Sequence, residues 1–384
     1  MQGVRRNNLL SLLALLASGA LAAAATAWFL SGRVPSVTQS TAASLSLFLT
    51  LYALSLTAVK LGTDGFILSK SAAEGGAHSL GLRRFLQWWA WPVIVLSACA
   101  IAWKFGWQVW VPSMVAMHFD LRSVTMAAAL TGAGDSTAQS IGTLLNFPVF
   151  FLGLYVASLI APPDIATIAT LFAGSSMLRY AYLSRRSRFP DGPDDIAPSV
   201  LAMLGLQQCL NYLLFRADQI LLSLARNLPV LDTGSPSDLA DYLVHSKAYE
   251  AACTVTMLAC MVAQPRATPS TVPLRSDPRP RLLGWLEAAL LLASVCALAL
   301  GWFERSDSIL LPFVTAAALS LPVNRRTLQA LRNDDFKRLI MALGVSLSVG
   351  LLGAALLSRP IELSRLAYLV PVQMLAFLCI ARAR

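Results

Sequence analysis

Four charged side chains carry the chemistry open to this chain: Arg216, Asp218, Lys247 and Glu250. They sit in QQCLNYLLFRADQILLSLA (207–225) and DYLVHSKAYEAACTV (241–255), two otherwise apolar stretches joined by a short polar connection. A charge at the centre of a bilayer costs about 2.5–3.5 kcal/mol on insertion scales, so four in neighbouring segments require compensation. Two arrangements supply it. In one, the charges pair and lock two helices together, since interhelical polar contacts hold membrane helices. Lys247 and Glu250 then bond each other, or cross-pair with Asp218 and Arg216. In the other, the charges line a polar cavity of cationic character. Arginine grips phosphate with two parallel hydrogen bonds and lysine acts as a point charge, which suits an anionic phosphate or diphosphate that is held and then released.

The neutral polar residues extend both patterns. Gln207, Asn211 and Asp218 recur at i, i+4 and i+11, within about 40° on an ideal helix, and so form one stripe. Gln208, Tyr212 and Gln219 form an adjacent stripe beside Arg216, and Lys247, Glu250 and Thr254 share a face at i, i+3 and i+7. The candidate substrate-contacting residues of a cavity are therefore Arg216, Lys247, Asn211 and Gln207. Asp218 and Glu250 are candidates for charge pairing or for carrying a coupling H+ or Na+. No catalytic residue, cofactor or metal is expected. The three histidines are scattered, and the six cysteines fall in apolar segments without a CxxC pair.

The rest of the chain must position these groups in lipid. Its 384 residues are 56% hydrophobic and 13% charged, and the mean hydropathy is +0.63. That places it outside the soluble class and predicts an all-α, polytopic membrane protein. A crossing takes about 20 mostly apolar residues. Segments of this kind fall near 9–30, 38–59, 85–103, 107–130, 138–161 and 164–183, then near 199–224, 241–263, 282–302, 309–323, 339–358 and 364–381. The expected plan is two six-helix bundles, 1–190 and 191–384, around a central cavity. The connection RRSRFPDGPDDIAP (185–198) joins them. The tenth segment is short, closed by Arg325 and Arg326.

Charge supports that alternation. With both termini cytoplasmic, twenty Lys and Arg lie in inner connections and six in outer ones; Arg122, Arg179, Arg216 and Lys247 fall inside segments and complete the 30. The net charge of +10 is thus spread along the connections and forms no nucleic-acid patch. MQGVRR followed by a long uncharged run reads as an uncleaved first crossing rather than a signal peptide. Trp88, Trp89, Trp91, Trp103, Trp107 and Trp110 stand at segment boundaries, where indole rings favour the interface.

Other charges are expected to be peripheral. Gly62 and Gly65 predict a bend after the second segment, near Asp64, Lys70 and Glu74. Arg179 is expected to snorkel to the surface. For Asp120 and Arg122, inside the fourth segment, surface exposure and a cavity role both remain open.

Two phrases carry a resemblance: SLTAVKLGTDGFILSKSA (55–72), and FRADQILLSLA (215–225) followed by YLVHSKAYEAA (242–252). With the six-plus-six plan, they resemble the lipid-linked oligosaccharide flippases of the multidrug/oligosaccharidyl-lipid/polysaccharide exporter superfamily. The resemblance implies a non-enzymatic transporter in a bacterial inner membrane. It would move a polyprenyl-diphosphate-linked saccharide outward for O-antigen or exopolysaccharide assembly by alternating access, beside polysaccharide polymerase or ligase partners. Carried over by position, the cavity residues are Arg216, Asp218, Lys247 and Glu250. Two rivals stand. An ion-coupled exporter of cationic drugs would want a net acidic, aromatic-rich cavity. A polytopic glycosyltransferase or polymerase would want catalytic groups on a sizeable outer loop, and the outer connections are short.

Overall fold

A computed structural model describes residues 36–63, 80–132, 136–186, 198–225, 231–232, 236–263, 309–332, 335–356 and 361–382, with Leu21, Ala24, Ala25, Trp28, Phe29, Val34 and Leu292 besides. It is a helical protein. The first helices are α1 (Gln39–Lys60), α2 (Leu80–Phe105), α3 (Trp110–Gly132), α4 (Ser136–Ile160) and α5 (Ile165–Arg186). They are followed by α6 (Pro198–Ala225), α7 (Pro236–Ala263), α8 (Leu310–Arg332), α9 (Phe336–Leu356), α10 (Leu363–Ala367) and α11 (Leu369–Arg382). A two-residue parallel pair, β1 (Leu231–Asp232) with β2 (Ile361–Glu362), ties the α6–α7 connection to the start of α10.

Among the described residues, four helical stretches are long and apolar enough to cross a membrane: Ser40–Lys60, Ile141–Ile160, Phe336–Gly353 and Leu363–Ala381. Their neighbours expose apolar side chains that water would not tolerate but lipid would. Trp103 is 83% exposed on α2, and Ile160 is 83% exposed at the end of α4. Trp107 is exposed as an interfacial ring should be, whereas Trp110 is half-buried against the core. The expected segments 9–30 and 282–302 lie almost wholly outside the described residues, as do Asp64, Gly65, Lys70 and Glu74. The tenth segment differs from expectation. α8 runs through Arg325 and Arg326 to Arg332, because charge ends an apolar crossing but does not break a backbone hydrogen-bond ladder.

α1 is the central element. Thr38 caps it by accepting from the Thr41 N–H at 3.2 Å. It packs on α2, α3 and α5 on one side and on α6 and α7 on the other. Among the described residues no other helix packs extensively on both α1–α5 and α6–α11. Phe48 and Tyr52 of α1 meet Phe172 of α5 edge-on, with ring centroids 6.4 and 4.8 Å apart. Lipid is as apolar as leucine and gives no hydrophobic drive between helices, so close packing and polar contacts must hold them. The closest approach is at the end of α1. Leu61 is left-handed (φ 46°) and Gly62 follows at φ 73°. A Cβ on Gly62 would stand 2.5 Å from Leu204 Cβ, and one on Gly205 would stand 2.6 Å from Leu61 Cδ1. Here α1 and α6 touch almost backbone to backbone.

α5 begins at Ile165, after the exposed Asp164. The Asp164 carboxylate accepts from the Thr167 N–H at 2.7 Å. Hydrogen bonds from the Thr167 side chain and backbone hold its carboxyl below the ordinary value. Asp164→Ala is expected to cost about 1 kcal/mol, read as a lower thermal midpoint in detergent. The cap stabilises fully above the ordinary carboxyl pKa and loses its contribution as the pH falls through the lower folded value. The variant's deficit should therefore be present at neutral pH and vanish in strong acid.

Candidate functional site

α6 is two helical pieces that meet at Arg216, whose backbone (φ −140°, ψ 20°) leaves the helical region. The stripe expected from Gln207 through Asn211 to Asp218 crosses this break, so an unbroken 100° step does not describe it. Arg216 reaches across to α7 and lies 3.1 Å (Nη2) from Glu250 Oε2. Below it, the Tyr212 ring centroid is 4.7 Å from the guanidinium carbon, and Nη1 donates to the Tyr212 hydroxyl at 2.8 Å.

Lys247 approaches the same carboxylate one turn earlier on α7, with Nζ 2.8 Å from Glu250 Oε1. Gln219 Nε2 also donates to that oxygen, at 2.7 Å. One carboxylate therefore serves two cations and an amide. Gln219 also bonds Ser246 and accepts from the Thr50 hydroxyl at 2.6 Å. The Tyr212 hydroxyl donates to the Thr50 carbonyl at 3.0 Å, so α1 is tied to α6 on both sides of the Arg216 break. The α6 and α7 backbones do not themselves pack closely. Long polar side chains bridge the space between them.

Asp218 belongs to a different arrangement. It is fully buried, and Oδ2 accepts from the Tyr242 hydroxyl at 2.6 Å. Oδ1 is buried without a hydrogen-bond partner. Of the pairings expected, Lys247–Glu250 and Arg216–Glu250 form. Asp218 instead takes a tyrosine, because its position beyond the Arg216 break turns it to the N-terminal part of α7. Gln207 is buried and Asn211 has an unpartnered buried Oδ1. They lie about 13 and 8 Å back along α6 from Arg216, by helical rise, and the Glu250 cluster does not include them. The Thr254 side chain lies outside the description.

A second buried cluster ties α1, α3, α4 and α5 together. Asp120 is 2% exposed. It accepts from the Tyr52 hydroxyl at 2.8 Å and from Asn146 Nδ2 at 3.4 Å, and Arg179 Nη1 lies 3.8 Å away. Ser175 donates to Asn146 Oδ1 at 3.0 Å. One open alternative is decided and one expectation is corrected here. Asp120 is not at a surface, and Arg179 does not snorkel: a buried carboxylate draws the guanidinium inward, while Arg122 is the exposed partner of the Tyr180 ring. Thr50, Tyr242 and Ser246 carried no sequence signal, since isolated hydroxyls in apolar helices usually bond their own backbone.

Among the described residues no group of three His, Cys, Asp or Glu side chains could hold a metal. Two cations on one carboxylate, with a separate buried carboxyl one turn away, can bind an anion and change net charge by one proton. No family model matches the chain, and no curated protein matches it.

Proposed function

We propose that this chain is a multi-pass membrane transporter that flips a polyprenyl-diphosphate-linked saccharide across a bacterial inner membrane for O-antigen or exopolysaccharide assembly. The observation that carries the reading is the convergence of Arg216 and Lys247 on the single carboxylate of Glu250. Those three groups leave one positive charge in excess, which favours a phosphate-bearing headgroup over a cationic drug. Asp218 sets the balance. Protonated, it leaves the site cationic; ionised, it makes the site neutral. By linkage, the proton and the anionic headgroup then strengthen each other's binding.

The two-bundle plan, 1–190 and 191–384, with twelve crossings and cytoplasmic termini, is part of this proposal. Support comes from α1, whose contacts bridge helices that otherwise pack on their own neighbours. Rocking about such a junction would alternate access to the space between α6 and α7. No covalent step is required, so no residue is assigned a catalytic role. Polysaccharide polymerases or ligases would act on the delivered saccharide.

The test uses the full chain in liposomes loaded with a lipid-linked saccharide. Wild type is expected to translocate it, and Arg216→Ala with Lys247→Ala to slow translocation by roughly 150-fold or more, two charged contacts at roughly 1.5–3 kcal/mol each being lost. Translocation at wild-type rate by a folded double variant would return the charges to a helix-locking role. Absence of translocation by wild type, with or without an ion gradient, would end the reading.

A further inference from the structure

A crevice of about 490 Å³ opens on the outer side of α4 and α5, away from the α6–α7 cluster. Leu145 of α4 and Leu178, Ala181, Tyr182, Arg185 and Arg186 of α5 line it. On α5 these residues recur at helical spacing, so they form one stripe that is apolar along its length and basic at its end. Leu178 is 52% exposed. On the inner side α4 and α5 close up where a Cβ on Gly142 would stand 3.3 Å from the Leu183 side chain. The crevice therefore faces outward, toward lipid.

Two features call for an occupant. The Tyr182 hydroxyl lines the crevice, is shielded from solvent, and has no hydrogen-bond partner. Arg186 lies over the Tyr182 ring, 5.6 Å from its centroid, and Arg185 stands one residue before it. Two exposed guanidiniums thus stand at one end of an apolar trough. We propose that this is a binding site for an anionic phospholipid of the surrounding bilayer, with one acyl chain along Leu145, Leu178 and Ala181 and the phosphate held by Arg185 and Arg186.

The physics fixes which part of the lipid confers selectivity. An acyl chain leaving bulk lipid for the trough gains no hydrophobic energy, because both surroundings are apolar. Selectivity must reside in the headgroup. The carbonyls at the end of α5 repel an anion, so binding requires both arginines. Each basic side chain near an anionic membrane surface contributes roughly fivefold in affinity. A lipid's tail holds its headgroup at the crevice mouth at high effective concentration; free phosphate lacks that tether and is the weaker ligand.

The test is native mass spectrometry of the full-length protein in detergent, titrated with phosphatidylglycerol, phosphatidylcholine or inorganic phosphate. Phosphatidylglycerol is expected to be retained over phosphatidylcholine. Arg185→Gln with Arg186→Gln should reduce that preference on the order of twentyfold. Ala181→Trp keeps every charge at an exposed position but fills the trough, and should displace the lipid equally. Equal retention of the two lipids, undiminished retention by Ala181→Trp, or full displacement by inorganic phosphate would each overturn the proposal. None of these readings depends on transport, so a failed flippase assay leaves the lipid site standing or falling separately.

Discussion

Glu250→Gln is expected to be the most damaging single substitution in the chain, lowering stability by about 3 kcal/mol, the low end of what breaking a buried ion pair costs. The reasoning is electrostatic. Glu250 compensates Arg216 and Lys247 together, and a neutral amide leaves both cations in a low-dielectric space. The low end applies because the Arg216 side chain is 23% exposed and water shares part of its charge. The measurement is the thermal midpoint and accumulated amount of the variant in detergent. Adding Lys247→Met should recover part of the loss, since one orphaned cation is removed, and the two changes should be clearly non-additive. A loss below about 1 kcal/mol, typical of a surface pair, would mean that the cluster is hydrated and does not hold α6 to α7.

On the proposed flippase function, Asp218→Asn is expected to leave the fold intact and to abolish coupling of transport to a proton gradient. The Tyr242 hydroxyl that donates to Asp218 Oδ2 finds an equivalent acceptor in the asparagine oxygen. The amide nitrogen takes the place of the partnerless buried Oδ1, and its unpaired N–H groups cost about 1–3 kcal/mol, which lowers the thermal midpoint without unfolding the chain. What disappears is a site that changes charge beside Glu250, Lys247, Tyr212, Tyr242 and Tyr249. Gradient-driven flux should fall on the order of tenfold or more, the scale of ordinary coupling energies, while flux without a gradient changes little. Asp120→Asn is the informative contrast. It removes the partner of Arg179 and should act on stability first. Gradient dependence surviving Asp218→Asn but lost in a folded Asp120→Asn protein would move the proton to the α1–α3–α5 cluster.

The helices were legible because their signal is one of sums. Ten expected segments lie on described helices, since twenty apolar residues in a row outweigh any single departure. The charged quartet was legible for the same reason inverted: Arg216, Asp218, Lys247 and Glu250 each break such a run. What periodicity did not carry was rotation. The break at Arg216 changes the direction of every side chain beyond it, which is why Asp218 meets Tyr242 rather than a cation. The Asp120–Arg179 pair was missed on different grounds. Its members lie 59 residues apart on separate helices; Asp120 alone reads as a charge interrupting a segment and Arg179 as one that can reach the surface. The pairing exists only through the packing of α3 on α5.

The contact between Gly62 and the Leu204–Gly205 backbone has a mechanical consequence. With no side chain interposed, α1 and α6 meet there over a very short lever arm, and small rotations about that point sweep little volume. Thr50 sits twelve residues away on α1, about 18 Å by helical rise. A turn of about 10° at the glycines moves the Thr50 level by about 3 Å, the full length of an ordinary hydrogen bond. The same turn that is almost imperceptible at Gly62 therefore separates Thr50 from Gln219 and Tyr212 and frees the polar cluster. In such a turn the glycine pair would be the fulcrum and Thr50, through its hydroxyl and its carbonyl, the catch.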